Sequence, residues 1–338
     1  MSGGALANPV AAAELAAVMR RALAVRGLAE EHVAYVSEGL IEASLRGIDT
    51  HGVRLFETYL NELDGGRSLA KPSFTWLGDR PAAKTLDAGN ALGLVAGRVA
   101  CEEAVRLARV SGIGAVSVRR SNHFGAASVY TLAMARAGVL GLSFSNSDAL
   151  VAPHFGRRPL FGTNPMSLAV QGEGEEMFCA DFATSQVSYS RVKAYRAQGK
   201  PIEPGWAITE NEELLALKPL GGHKGHCLGM MVEILCALLA GMPFDHQLSH
   251  LYDPPYDEPR RVSHLFLALD LEAFGSASAF RQNLNDLLEQ VRSEPAEEGE
   301  KVIVPGDLEK VSTTQRLAQG SPLSEGEWSF FSRLAAST

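Results

Sequence analysis

Residues 114–145, GAVSVRRSNHFGAASVYTLAMARAGVLGLSFS, set out a strand, a turn, a helix and a second strand in that order. Small and β-branched residues over 114–118 predict a strand, and Ser121-Asn122-His123-Phe124-Gly125 makes the turn. Helical spacing follows over 126–137, and Val139 to Ser145 returns to strand character after Gly138. A strand-like segment at 83–86 and a helix over 94–109 precede this unit. Strands at 166–170 and 176–180, a helix over 186–198 and a strand at 265–269 follow it. The alternation predicts an α/β core. Upstream, helical spacing over 11–26, 31–45 and 53–63 ends at Gly65, Gly66 and Pro72 and predicts a small helical unit. The apolar run Cys227 to Phe244, interrupted by Glu233 and closed by Gly241 and Pro243, reads as a buried helix rather than a membrane span. A helix over 279–291, an acidic loop at 293–299 and a turn at 320–327 before a short final helix complete the pattern, with no internal repeat.

At 338 residues and 46% apolar, the chain is long enough for a large core and two or more domains. A net charge of -8 argues against a nucleic-acid binder. The four cysteines form no Cys-x-x-Cys pair and read as reduced core thiols, which favours a cytoplasmic location. The alanine-rich residues 1–21 read as an amphipathic helix, not an export leader. No partner membrane is expected.

The chemistry concentrates in Arg46-Gly47-Ile48-Asp49-Thr50-His51-Gly52-Val53-Arg54. A guanidinium suits a substrate carboxylate, and an imidazole titrating near neutrality suits proton donation to a carbonyl or imine that accepts hydride. Taken alone, the same residues also fit a solvated helix end. Pro219-Leu220-Gly221-Gly222-His223-Lys224-Gly225 stands before an apolar helix, where free N–H groups and Lys224 would hold a pyrophosphate, or would merely form a tight turn. His223 and His226 lack a carboxylate at zincin spacing, so no metal is expected. His123 follows a strand and precedes a helix, where open α/β folds place ligand contacts. Ser145-Asn146-Ser147-Asp148 and Phe161-Gly162-Thr163-Asn164-Pro165 carry turn chemistry, with a hydroxyl at Thr163 that suits a substrate. No Gly-x-Gly-x-x-Gly, Walker A loop or Gly-x-Ser-x-Gly elbow is present, so a dinucleotide would need a different kind of site.

Together these segments resemble the malate/L-lactate dehydrogenase family, which includes ureidoglycolate and sulfolactate dehydrogenases and Δ1-piperideine-2-carboxylate reductases. The resemblance rests on residues 46–54, Ser-Asn-His-Phe-Gly from 121, Gly-Thr-Asn-Pro from 162, Asp-Phe-Ala-Thr-Ser from 181, Gly-Trp-Ala from 205, Pro-Leu-Gly-Gly-His-Lys-Gly from 219 and Pro305-Gly306-Asp307. It implies a non-Rossmann α/β fold around a largely antiparallel sheet, binding NAD or NADP, in a homodimer. It implies a helical unit over 1–75, joined by the C-terminal helices within 276–338, and a cofactor-binding catalytic domain over 76–275.

By matching motifs the resemblance makes His51 the proton donor with Thr50 beside it, and Arg46, Arg54 and Thr163 the substrate contacts. Ser147, Asp181, Phe182, Ala183, His223, Lys224, Pro305, Gly306 and Asp307 would line the cofactor. His123 carries two roles in the family, catalytic in one branch and cofactor-binding in another. The expected reaction moves hydride between nicotinamide and C2 of a small 2-oxo or 2-hydroxy acid or a cyclic ketimine carboxylate. A binding subunit without chemistry, and a metal-dependent hydrolase using His223 and His226, are the competing readings. Two segments depart from the family: Ser188-Tyr189-Ser190-Arg191 replaces an Ala-Arg-Gly run, and the stretch from Trp206 to Pro219, with Glu210, Glu212 and Glu213, is short.

Overall fold

The computed structural model describes residues 6–211 and 213–337. The chain opens on a strand, β1 (Leu6–Val10), where an amphipathic helix was the expectation; residues 1–5 of that stretch lie outside the described residues. Helix begins at Ala12, and α1 (Ala12–Val25) and α2 (Glu30–Leu45) bury Leu15, Met19, Leu23, Val36 and Leu40 in one core. Two short 3₁₀ turns, Asp49–His51 and Val53–Leu55, lead into α3 (Phe56–Gly65), so the helix expected from 53 starts late.

The α/β core then runs β2 (Thr75–Arg80), β3 (Ala83–Asp87), α4 (Gly93–Ser111), β4 (Ile113–Ser121), α5 (Ser128–Arg136), β5 (Val139–Ser145), β6 (Met166–Gln171) and β7 (Met177–Phe182). After it come α6 (Tyr189–Ala197), a small hairpin of β8 (Ala207–Glu210) and β9 (Glu213–Leu217), and α7 (His223–Glu233). The last part holds β10 (Val262–Asp270), α8 (Ala277–Ser293), α9 (Asp307–Gln319), β11 (Ser321–Ser324) and α10 (Glu325–Ser337).

Seven strands form one sheet in the order β2-β3-β4-β10-β5-β6-β7. Only β3 and β4 run parallel, joined by the α4 crossover that a parallel pair requires; the other ladders are antiparallel, as expected. The late strand β10 sits in the middle because it is buried on both faces, through Leu265 toward Phe144 and Val232 and through Phe266 and Ala268 into the main core. The turn 121–127 and the ends of β5 and β7 thereby converge on one side.

One expectation needs correction. The apolar run at 227–244 is not a buried helix: α7 passes into one wide π turn at Ile234–Leu238, and only one face is covered, with Val232 and Cys236 packing on Phe144 and Leu265. Met230, Met231, Ile234, Leu238 and Leu239 face outward and are exposed. No described helix is long and apolar enough to cross a membrane. β1 pairs with β11, which ties the two termini together, whereas α8 packs through Phe280 and Leu284 on Val170 and Leu271 beside the sheet.

Candidate active site

Gly52 separates the two 3₁₀ turns. A Cβ on Gly52 would stand 2.1 Å from the Ser44 hydroxyl, which accepts the Val53 N–H at 2.9 Å, so only glycine lets this segment press onto α2. The turn before Gly52 presents His51, half-buried, with the Thr50 hydroxyl 2.9 Å from Nδ1. Burial lowers the His51 pKa, and the nearby Asp181 carboxylate opposes that effect. Asp181, from the end of β7, accepts the Ser128 N–H at the start of α5 at 2.8 Å. Its own pKa is raised by burial, against the hydrogen bonds from Ser128 and the charges of His51 and Arg46.

His123 faces His51 with ring centroids 5.7 Å apart. Its Nδ1 lies 2.8 Å from the Tyr59 hydroxyl and accepts the Gly125 N–H at 3.4 Å, which leaves the proton of the neutral ring on Nε2. Burial, His51, Arg260 and His264 all push the His123 pKa well below the usual imidazole value. His51 and His123 share a pocket with Ser147, Thr163, Asn146 and Arg260.

Ser147 and Thr163 are locked together: the Thr163 N–H donates to the Ser147 hydroxyl at 3.0 Å. Behind them Asp245 is fully buried and accepts the N–H groups of Ser147 at 3.3 Å and Gly162 at 2.7 Å and the Asn164 amide at 2.8 Å. Its own N–H donates to Glu233 at 3.0 Å. Burial and the neighbouring Asp245 carboxylate raise the Glu233 pKa to about 9, and burial raises that of Asp245 as well.

Most of the residues matched to a cofactor gather where β7 ends, whereas Pro305, Gly306 and Asp307 lie beside its first half. Leu220 donates to the Thr184 carbonyl at 2.9 Å and Gly221 to the Gln186 side chain at 2.8 Å, so the 219–225 loop lies next to the segment that follows Asp181, Phe182 and Ala183. Gly221 and Gly222 have φ of +57° and +70°, and the N–H groups of His223 and Lys224, which open α7, meet no backbone acceptor among the described residues. Lys224 is exposed and has no ion-pair partner among the described residues. These features fit an anionic dinucleotide. Pro305 accepts the Cys179 N–H at 3.2 Å, and Gly306 packs on β7; Asp307 is held by Arg292 at 2.7 Å. A larger cavity of about 680 Å³ borders the same loop, lined by Pro153, His154, Trp206, Lys218 and Gly222.

The two flanking arginines do not enter the His51 pocket. The Gly52 kink turns Arg54 outward to Glu327 at 2.7 Å, while Arg46 lies by Asp181 with a buried Nε that no described residue accepts from. Asp49 is bound by Arg316. His223 lies 3.6 Å from the Cys227 sulfur, His226 packs on Phe161, and no metal-binding group of three His, Cys, Asp or Glu side chains occurs among the described residues. In the divergent segment, Ser188 caps α6 by accepting the Arg191 N–H at 3.3 Å, and Arg191 stacks on Trp206. Glu212 lies outside the described residues, while Glu210 pairs with Arg157 at 2.8 Å.

Sequence reasoning missed Tyr59, Glu233, Asp245, Arg260 and His264. Arg260 stands in a charged loop string, Asp257-Glu258-Pro259-Arg260-Arg261, that looks solvated, yet it is 2% exposed. Only the interruption of an apolar run by Glu233 offered a signal.

A family model described as malate/L-lactate dehydrogenase matches residues 10–331. The chain is 33% identical over 302 residues to ureidoglycolate dehydrogenase (NAD(+)) of Escherichia coli O157:H7, covering 87% of this chain and 86% of that protein. It is 32% identical over 328 residues to malate dehydrogenase of Pyrococcus abyssi, covering 92% and 89%. The structure of malate dehydrogenase from Entamoeba histolytica superposes with a TM-score of 0.91 at 27% identity over 97% of both chains.

Proposed function

The chain belongs to the malate/L-lactate dehydrogenase family and is an NAD(P)-dependent oxidoreductase, and on that premise we propose that it reduces C2 of a small 2-oxo acid or cyclic ketimine carboxylate and runs the same step in reverse. The observation that carries this reading is the shared pocket of His51, His123, Ser147 and Thr163, with the Asp181 carboxylate beside the first imidazole.

Thr50 engages Nδ1 of His51, so Nε2 is the atom that gives a proton to the carbonyl oxygen or imine nitrogen as C2 is reduced. The reduced nicotinamide, when bound, supplies the hydride. Asp181 stabilises the protonated ring before transfer, and its contact with Ser128 fixes its place. His123 is the neutral partner, whose Nε2–H donates a hydrogen bond to the same substrate atom. Thr163 and Ser147 orient the substrate and the cofactor edge, held in register by Asp245. Lys224 and the first N–H groups of α7 hold the pyrophosphate, with Phe182, Ala183 and His223 around it, and the 305–307 turn lines the cofactor farther along β7. The exposed apolar side of α7 supports a homodimer, and four free cysteines support a reducing, cytoplasmic setting.

A panel of 2-oxo acids and cyclic imino acids, each offered with NADH and with NADPH and followed by absorbance loss, tests the reading. Turnover of at least one acid is expected. No turnover across the panel with either cofactor would overturn it.

A further inference from the structure

Arg260 lines the same pocket as His51 and His123, and its side chain is wholly buried. Two of its three guanidinium nitrogens are engaged: Nε donates to the Ser249 carbonyl at 3.0 Å and Nη2 donates to Asp148. The third, Nη1, is buried and finds no acceptor among the described residues. Its backbone is fixed as well, because the Arg260 N–H donates to the Asn122 side chain at 3.4 Å, next to His123. A buried cationic N–H without an acceptor is costly, and the cost is removed when a ligand supplies an anionic oxygen. Glu62 is the other candidate acceptor: it is buried, feels the charge of Arg260 and also has an unpartnered Oε1, yet the two form no ion pair. Arg54 is turned away to Glu327 and Arg46 stands by Asp181. Arg260 is therefore the one permanent cation among the residues lining this pocket.

We propose that Nη1 of Arg260 anchors the substrate carboxylate, in place of either arginine flanking His51. Asp148 and Ser249 hold the guanidinium plane still, so that an acid seated on Nη1 places its C2 between the two imidazoles. The inference rests on the proposed function, since it names the group that binds the acid which that function requires.

The test uses the full-length protein and three variants: Arg260→Gln, Arg260→Lys, and a paired Arg260→Met/Asp148→Leu that removes both buried charges together. KM and kcat are measured for the best acid of the panel. Affinity for oxamate, a carboxylate that is not reduced, is measured by calorimetry with cofactor present, and NAD(P)H affinity by fluorescence. In every variant that folds, KM and the oxamate Kd should rise roughly 10- to 100-fold while NAD(P)H affinity holds. A folded variant that melts at lower temperature but keeps the wild-type KM and oxamate Kd would show a purely structural arginine and overturn the proposal. If the wild type reduces no acid, the function fails, and oxamate binding that is present in wild type and lost in the variants still upholds Arg260 as the anchor.

Discussion

His51 and His123 stand with ring centroids 5.7 Å apart, yet only His51 has a carboxylate, Asp181, whose charge opposes the effect of burial. The groups around His123, namely His51, Arg260 and His264, are cationic or imidazole side chains that drive its pKa further down. The first ring can therefore carry the proton of the reaction, and the second stays neutral. The sign of the pH dependence follows. Reduction needs protonated His51, so kcat/KM for reduction should fall as pH rises through the lowered His51 pKa, while oxidation gains over the same window. In Asp181→Asn the amide oxygen still accepts the Ser128 N–H, but the charge is gone, and the limb should move to lower pH. An unmoved limb in a pH–rate profile would disconnect Asp181 from His51. His51→Asn should lower kcat roughly 100- to 10,000-fold with NAD(P)H binding intact by fluorescence titration. Near-normal kcat would pass the proton to His123.

α7 works at both of its ends. Its start carries Lys224, and Glu233 at its end reaches through Asp245 to the loops that bear Ser147 and Thr163. Burial raises the Glu233 pKa, so the folded carboxyl keeps a proton that the unfolded chain loses above about pH 4.3. The stability from this group is full below that unfolded value and is lost as pH rises through the folded one. Glu233→Gln stays neutral, and its melting temperature should decline less than the wild type's between neutral and alkaline pH. Parallel declines in a melting series would refute a raised Glu233 pKa. His264 on β10 is set the other way: burial lowers its pKa to about 3, and the ring bridges the Ser145 and Ser121 hydroxyls at 2.9 and 2.8 Å. These groups also mark what the sequence could show. Strands β3 to β7 and β10 and helices α4, α5 and α8 were legible from residue type and periodicity, whereas β2, exposed along its whole length, offered no alternation. β1, β8, β9 and β11 are only four or five residues long, and their pairing partners lie outside any local window. The motif histidines were legible from residue type. Arg260, Glu233 and Asp245 were not, because each acts through a partner brought near by tertiary packing.

On the surface of the molecule, a row of exposed apolar side chains runs along the outer face of α7 and its π turn. Met231, Ile234 and Leu239 are 54%, 51% and 61% exposed on one segment, and Met230 and Leu238 continue the patch. Isolated apolar residues on a surface need no explanation, but a contiguous row on one helix marks an interface. A second copy of this chain is the occupant we propose, because a two-fold pairing buries the same patch on both subunits at once. The opposite face of the same segment holds Cys236 and Val232 on the sheet, and its start bears the Lys224 loop, so the exposed row and that loop lie on one continuous segment. Ile234→Asp combined with Leu238→Asp should leave the fold intact, because both side chains point away from the core. Light scattering coupled to size exclusion should then report a monomer where the wild type runs as a dimer, and NAD(P)H should bind more weakly as the unsupported α7 loosens. A wild type that is monomeric at micromolar concentration would refute the pairing. A monomeric variant with unchanged cofactor affinity would leave the dimer standing and sever it from the site.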